Sequence, residues 1–96
     1  MMPGGFDQVK ECTEDIKTLA INMQEQVENN LGETFEVFEP VLYSSQVVAG
    51  TNYSIKVHVG DERFVHIKIY VPLPVYNAPN ELLECENDKS LFDPLF

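Results

Sequence analysis

Basic residues are scarce in this 96-residue chain: six Lys or Arg stand against 16 Asp or Glu, a formal net charge of -10. Proteins bind nucleic acid largely by neutralising phosphates with Lys and Arg, so the balance argues against a nucleic-acid partner. The excess acid favours solubility and encounters with basic surfaces, but carries no chemical specificity. No hydrophobic run approaches membrane-spanning length, so no membrane association is expected. A secretory leader is not visible either, because Met1-Met2-Pro3-Gly4-Gly5 has neither a basic nor an apolar region and acid begins at Asp7. A cytoplasmic protein is expected, in which Cys12 and Cys85 are free thiols rather than a bridge. Internal repeats and low-complexity segments are also lacking. The length supports one domain, residues 1–96, that buries about 60–70% of the surface its unfolded form exposes.

Catalytic groupings are equally sparse. His58 and His66 supply half of a tetrahedral metal site, with no carboxylate or thiol clearly adjacent, so neither metal nor cofactor is expected. Cys12 precedes the predicted helix and Cys85 falls in the tail. Neither has an identifiable orienting partner, and the chain reads as a non-enzyme.

What is present is one helix and a set of strands. Residues 1–11 form a Gly-rich arm without a consistent period. Thr13 is placed as an N-cap, with Glu14 and Asp15 in the positive first turn. Ile16, Leu19, Ala20, Met23, Val27 and Leu31 then recur at helical spacing, and Gly32 ends a helix of about 18 residues. Its apolar stripe must be covered by β material. Strands are predicted over Phe35–Ser45, Tyr53–Val59 and Phe64–Val71, with another after Pro79; the short links make an antiparallel meander, hence an α+β fold. Pro40 inside the first strand implies an edge or a bulge. Matching the alternating faces across Gly60–Arg63 sets Val59 opposite Val65 and Val57 opposite Ile67, towards the helix, with His58 opposite His66 and Lys56 opposite Lys68 on the other face.

Two chain reversals break the rule that turns are polar. Gln46-Val47-Val48-Ala49-Gly50 joins the first two strands, and Val71-Pro72-Leu73-Pro74-Val75-Tyr76-Asn77 follows the third. Alternate turns of a meander share one end, so these two are expected to be neighbours, with the start of the helix and the arm beside them. Local rules broken in this way usually mark a functional site. Full burial in another molecule's cleft is worth about 1.5–3 kcal/mol for each valine.

Met1–Gly5, the run from Ser45 to Tyr53, Ile55-Lys56-Val57-His58-Val59-Gly60-Asp61-Glu62 and Leu73-Pro74 together resemble the cystatin superfamily, and within it the stefins. The resemblance covers roughly the first four-fifths of the chain and fades after Asn77. Pro72 and Val75-Tyr76 depart from the familiar second loop. The resemblance implies a cystatin-like fold, one long α-helix on an antiparallel sheet. It also implies reversible, competitive inhibition of papain-like cysteine proteases of the cathepsin L, B, H or S type. Met2, Pro3 and Gly4 would take the non-primed side of the cleft. Gln46, Val47, Val48, Ala49 and Gly50 form the first loop and Leu73 and Pro74 the second, on the primed side. The chain is expected to be mainly monomeric. The alternatives are a non-inhibitory interaction module and a domain-swapped oligomer.

Overall fold

The computed structural model describes residues 6–95. Two helices, α1 (Glu14–Ile21) and α2 (Gln24–Leu31), lie on one face of an antiparallel sheet. Among the described residues the sheet has five strands, β1 (Lys10–Glu11), β2 (Glu39–Val48), β3 (Gly50–His58), β4 (Phe64–Val71) and β5 (Glu81–Lys89), paired in chain order.

Thr13 caps α1, its hydroxyl accepting from the Ile16 amide at 3.4 Å. The single long helix expected from the apolar stripe is interrupted at Asn22 and Met23. There the Met23 amide reaches back three residues to Ala20 at 3.0 Å, before Val27 restores the four-residue pattern to Met23 at 2.9 Å. Both residues keep right-handed backbone angles, so the stripe continues through the tightening. Ile16, Ala20, Met23 and Val27 are all buried. They meet Ile55, Val57, Val65, Ile67 and Ile69 from the inner face of β3 and β4, and Phe35 closes the same cluster. The Glu28 carboxylate holds Phe35 in place by accepting its amide at 2.9 Å, while the Gln24 side chain donates to its carbonyl at 3.1 Å.

The faces of β3 and β4 follow the alternation expected, but the register differs by two residues. Val57 pairs with Val65, Ile55 with Ile67, Lys56 with His66 and His58 with Phe64. The cause is the turn. Gly60 and Asp61 both take positive φ, and the Arg63 amide closes on the Gly60 carbonyl at 3.0 Å, so the loop is shorter than face-matching alone would choose. His58 and His66 are therefore not a cross-strand pair. Pro40 does mark a bulge, with the register shifting between it and Leu42. The acidic tail, which reads poorly as a strand, forms β5 with two register shifts of its own. Leu83 falls at one of them and is exposed, so that Leu82 and Cys85, three apart, both reach the core.

The outer face is covered by the chain's own last segment. Lys56, almost fully buried, donates from its amine to the carbonyls of Ser90 at 2.9 Å, Leu91, and Asp93 at 2.9 Å. The Ser54 hydroxyl donates to the Leu95 carbonyl at 2.8 Å. Burial lowers the Lys56 pKa, opposed by Asp93. A buried ammonium is tolerated here because backbone oxygens replace its water.

His66 lies buried beneath this strap, its ring nitrogens without a hydrogen-bond partner among the described residues. Beside it is a cavity of about 230 Å³ lined also by Ser54, Lys68, Glu84, Glu86 and Leu95. Burial first, then Lys56 and Lys89, push its pKa down from 6.5 to about 4, against the pull of Glu86 and Asp93. Between those values the unfolded chain binds the extra proton, so this contribution to stability is whole above pH 6.5 and is lost as the pH falls toward 4. In urea titrations across that window, the native chain should lose up to about 3 kcal/mol more than a His66→Phe variant. Parallel pH profiles for the two proteins would show that His66 is not the titrating group.

Candidate functional site

The sequence between Glu39 and Lys56, and again between Lys68 and Glu81, contains no charged residue. Those stretches supply most of β2, β3 and the end of β4, and with them both apolar turns, at one edge of the molecule. In a chain so acidic, these two stretches are set apart by what they omit.

At the first turn the ladder runs further than composition suggests. Val47 pairs with Thr51 and Val48 with Gly50, which leaves Ala49 alone at the tip. β-Branched residues favour that extended conformation. The Asn52 side chain donates to that of Gln46 at 3.1 Å, tying the two strands just below. Val47 remains 58% exposed and Val48 40%.

Gly50 brings the second turn alongside. It has φ of +114°, and a Cβ placed on it would stand 2.5 Å from the Val71 carbonyl oxygen and 2.9 Å from the Tyr70 ring. The Tyr70 hydroxyl donates to the Ala49 carbonyl and Thr51 pairs with Val71, fixing the first tip against the end of β4. Beyond Val71 the chain turns through Pro72 and Leu73 into a single 3-10 turn, Pro74–Tyr76, with Asn77 in the left-handed region closing it. Leu73 is 41% exposed. The sequence-predicted residues Gln46–Gly50, Leu73 and Pro74 thus meet at one edge.

The arm approaches along β2. Lys10 and Glu11 pair with Tyr43 and Leu42, the Asp7 amide donates to the Ser45 carbonyl at 2.7 Å, and the Ser44 hydroxyl donates to the Asp7 carbonyl. Phe6 lies under the Lys68 amine, 5.6 Å from the ring centroid. Met2, Pro3 and Gly4, also singled out from the sequence, lie outside the described residues. Tyr70 is not singled out by the sequence, because its part is to position the tip rather than to be displayed by it.

Among the described residues this edge is a ridge that carries no cysteine. Both cysteines are free and half-buried elsewhere. Burial pushes Cys12 up to about 11 and raises Cys85 as well, so both thiols stay protonated and unreactive at neutral pH. Among the described residues no group of three or more His, Cys, Asp or Glu is placed to hold a metal ion, and no helix is long and apolar enough to cross a membrane.

The family model of the cystatin domain matches residues 4–90. The chain belongs to the cystatin family. The match continues past Asn77, beyond the motifs that carry the resemblance. Cystatin-A1 of Sus scrofa is 46% identical over 95 residues, 99% of this chain and 92% of the relative. The leukocyte cysteine proteinase inhibitor 1 of the same species is 41% identical over the same shares. Cystatin-B of Macaca fuscata fuscata is 42% identical, covering 99% of this chain and 97% of its own. These relatives put the chain on the stefin branch of the cystatins.

The geometry of the tip makes two glycines a controlled comparison. Gly32, at the end of α2, also has positive φ, but a Cβ there would meet nothing within 4 Å. Gly32→Ala should therefore cost only the left-handed backbone penalty of about 1–2 kcal/mol. Gly50→Ala adds a clash with backbone and should cost more, at least about 2–3 kcal/mol, read from urea midpoints. Equal losses would mean that the contact with Val71 contributes nothing.

Proposed function

We propose that this cystatin is a reversible, tight-binding competitive inhibitor of papain-like cysteine proteases in the cytoplasm, and that it acts by plugging the active-site cleft. The observation that carries the proposal is the pair of adjoining, hydrogen-bonded turns, built from two uncharged stretches of chain, on which Val47, Val48 and Leu73 stand exposed. Family membership, and a relative named as a cysteine proteinase inhibitor, support the same reading.

In this mechanism Gln46–Gly50 and Leu73-Pro74 enter the primed side of the cleft, while Met2, Pro3 and Gly4 enter the non-primed side. A substrate is cut only if a carbonyl stands about 3–3.5 Å from the attacking sulfur and in line with it. The arm begins as a substrate does and turns away at Gly4-Gly5, so no scissile peptide is presented. The turns are built before binding, and little conformational entropy is lost on docking. Proteases of the cathepsin L, B, H and S type are the partners, engaged by a monomer.

Titrating active papain with the intact chain tests the reading. Inhibition should be competitive and stoichiometric. Val48→Asp should weaken it by about 100-fold or more, since a buried valine is lost and a carboxylate is buried in its place. Gly4→Trp should weaken it too, with thermal stability unchanged in both variants. Full protease activity at a molar excess of folded protein would overturn the inhibitory reading in favour of a non-inhibitory interaction module.

A further inference from the structure

The second turn displays more than Leu73. Val75 is 81% exposed and Tyr76 62%, and neither contributes to the buried core. Such side chains have no role in holding this fold together. They are nevertheless held firmly: the Tyr76 amide donates to the Leu73 carbonyl and the Asn77 amide to the Pro74 carbonyl, each at 3.0 Å. Pro72 and Pro74 fix their own φ angles, and Asn77 takes φ of +46° to close the turn. The backbone that carries Val75 and Tyr76 is thus fixed while both side chains stand exposed.

The turn is continuous with the proposed binding edge through the Thr51–Val71 pair and the contact of Gly50 with Val71. With no charge between Lys68 and Glu81, nothing on it compensates a charged surface that it covers. An apolar wall opposite would gain from contact, whereas a charged wall would be stripped of water without a partner. Phe92 is more exposed still, but it lies beside Asp61 and Glu62, at the opposite end of the sheet.

Resting on the inhibitory reading, we propose that Val75 and Tyr76 are specificity residues. They form an extra apolar contact by which this chain selects papain-like proteases whose primed-side wall is apolar over those whose wall is charged. The expected gain follows from burial of side chains that are exposed in the free protein, about 10–100-fold in Ki.

The test compares the native chain with a Val75→Gly/Tyr76→Asn double variant against papain-like endopeptidases, papain among them, chosen for apolar or charged primed-side walls. The double variant should keep its thermal midpoint. It should lose about 10–100-fold in Ki on apolar-walled proteases, mainly through faster dissociation, and less than about 3-fold on charged-walled ones. An unchanged Ki throughout, or the same loss on both groups, would overturn the assignment while leaving the inhibitory reading intact. A native chain that inhibits no protease would remove both.

Discussion

The missing side chain at position 50 lets two backbones come together where a methyl group would collide with the Val71 carbonyl oxygen, at 2.5 Å. Around that contact the Tyr70 hydroxyl reaches Ala49 and Thr51 takes its place opposite Val71. The two turns are consequently set side by side by backbone pairing and one tyrosine. Val47, Val48, Leu73, Val75 and Tyr76 remain exposed on the edge so formed. A surface assembled in this way is already in shape before it meets a partner, which removes much of the entropic cost of binding.

The remainder of the fold isolates that edge from other demands. The inner face of the sheet is closed by the helical stripe, and the outer face by Ser90–Leu95, pinned through Lys56 and Ser54. At the far end, Arg63 lies over the Phe35 ring and bonds to Glu33 and to Asn87 at 2.7 Å, with Asp88 3.0 Å away. The guanidinium holds the Glu33 carboxyl below its usual range. That cluster ties the end of α2, the β3–β4 turn and the end of β5 with ions, at the end of the sheet away from the apolar turns.

Much of this could be read from residue order, and the exceptions have physical causes. The helical stripe, the Thr13 cap, the Pro40 bulge and the bounds of β4 followed from spacing and from the chemistry of single residues. The neighbouring apolar turns followed from meander topology. Face-matching is blind to a two-residue slip, so it sets the β3–β4 register two residues out; only the positive φ at Gly60 and Asp61 distinguishes the two loops. β5 was obscured because its bulges break the two-residue period, and the helix break because Asn22 and Met23 stay close to helical angles. The role of Lys56 depends on a segment 34 to 37 residues further on, which no local pattern announces.

The distribution of charge gives the acidic excess a meaning that composition alone lacks. A carboxylate at either turn would have to be dehydrated whenever the edge was buried, at a cost exceeding what a neighbouring valine contributes. Leaving Pro40–Ile55 and Ile69–Asn80 uncharged avoids that cost where contact is made. An uncharged apolar ridge, however, also invites contact between copies of the same chain. The net charge of -10 is carried by residues outside those two stretches, where it opposes self-association at long range. Solubility and adhesion thus make no conflicting demands, because the groups responsible for each lie on different parts of the chain.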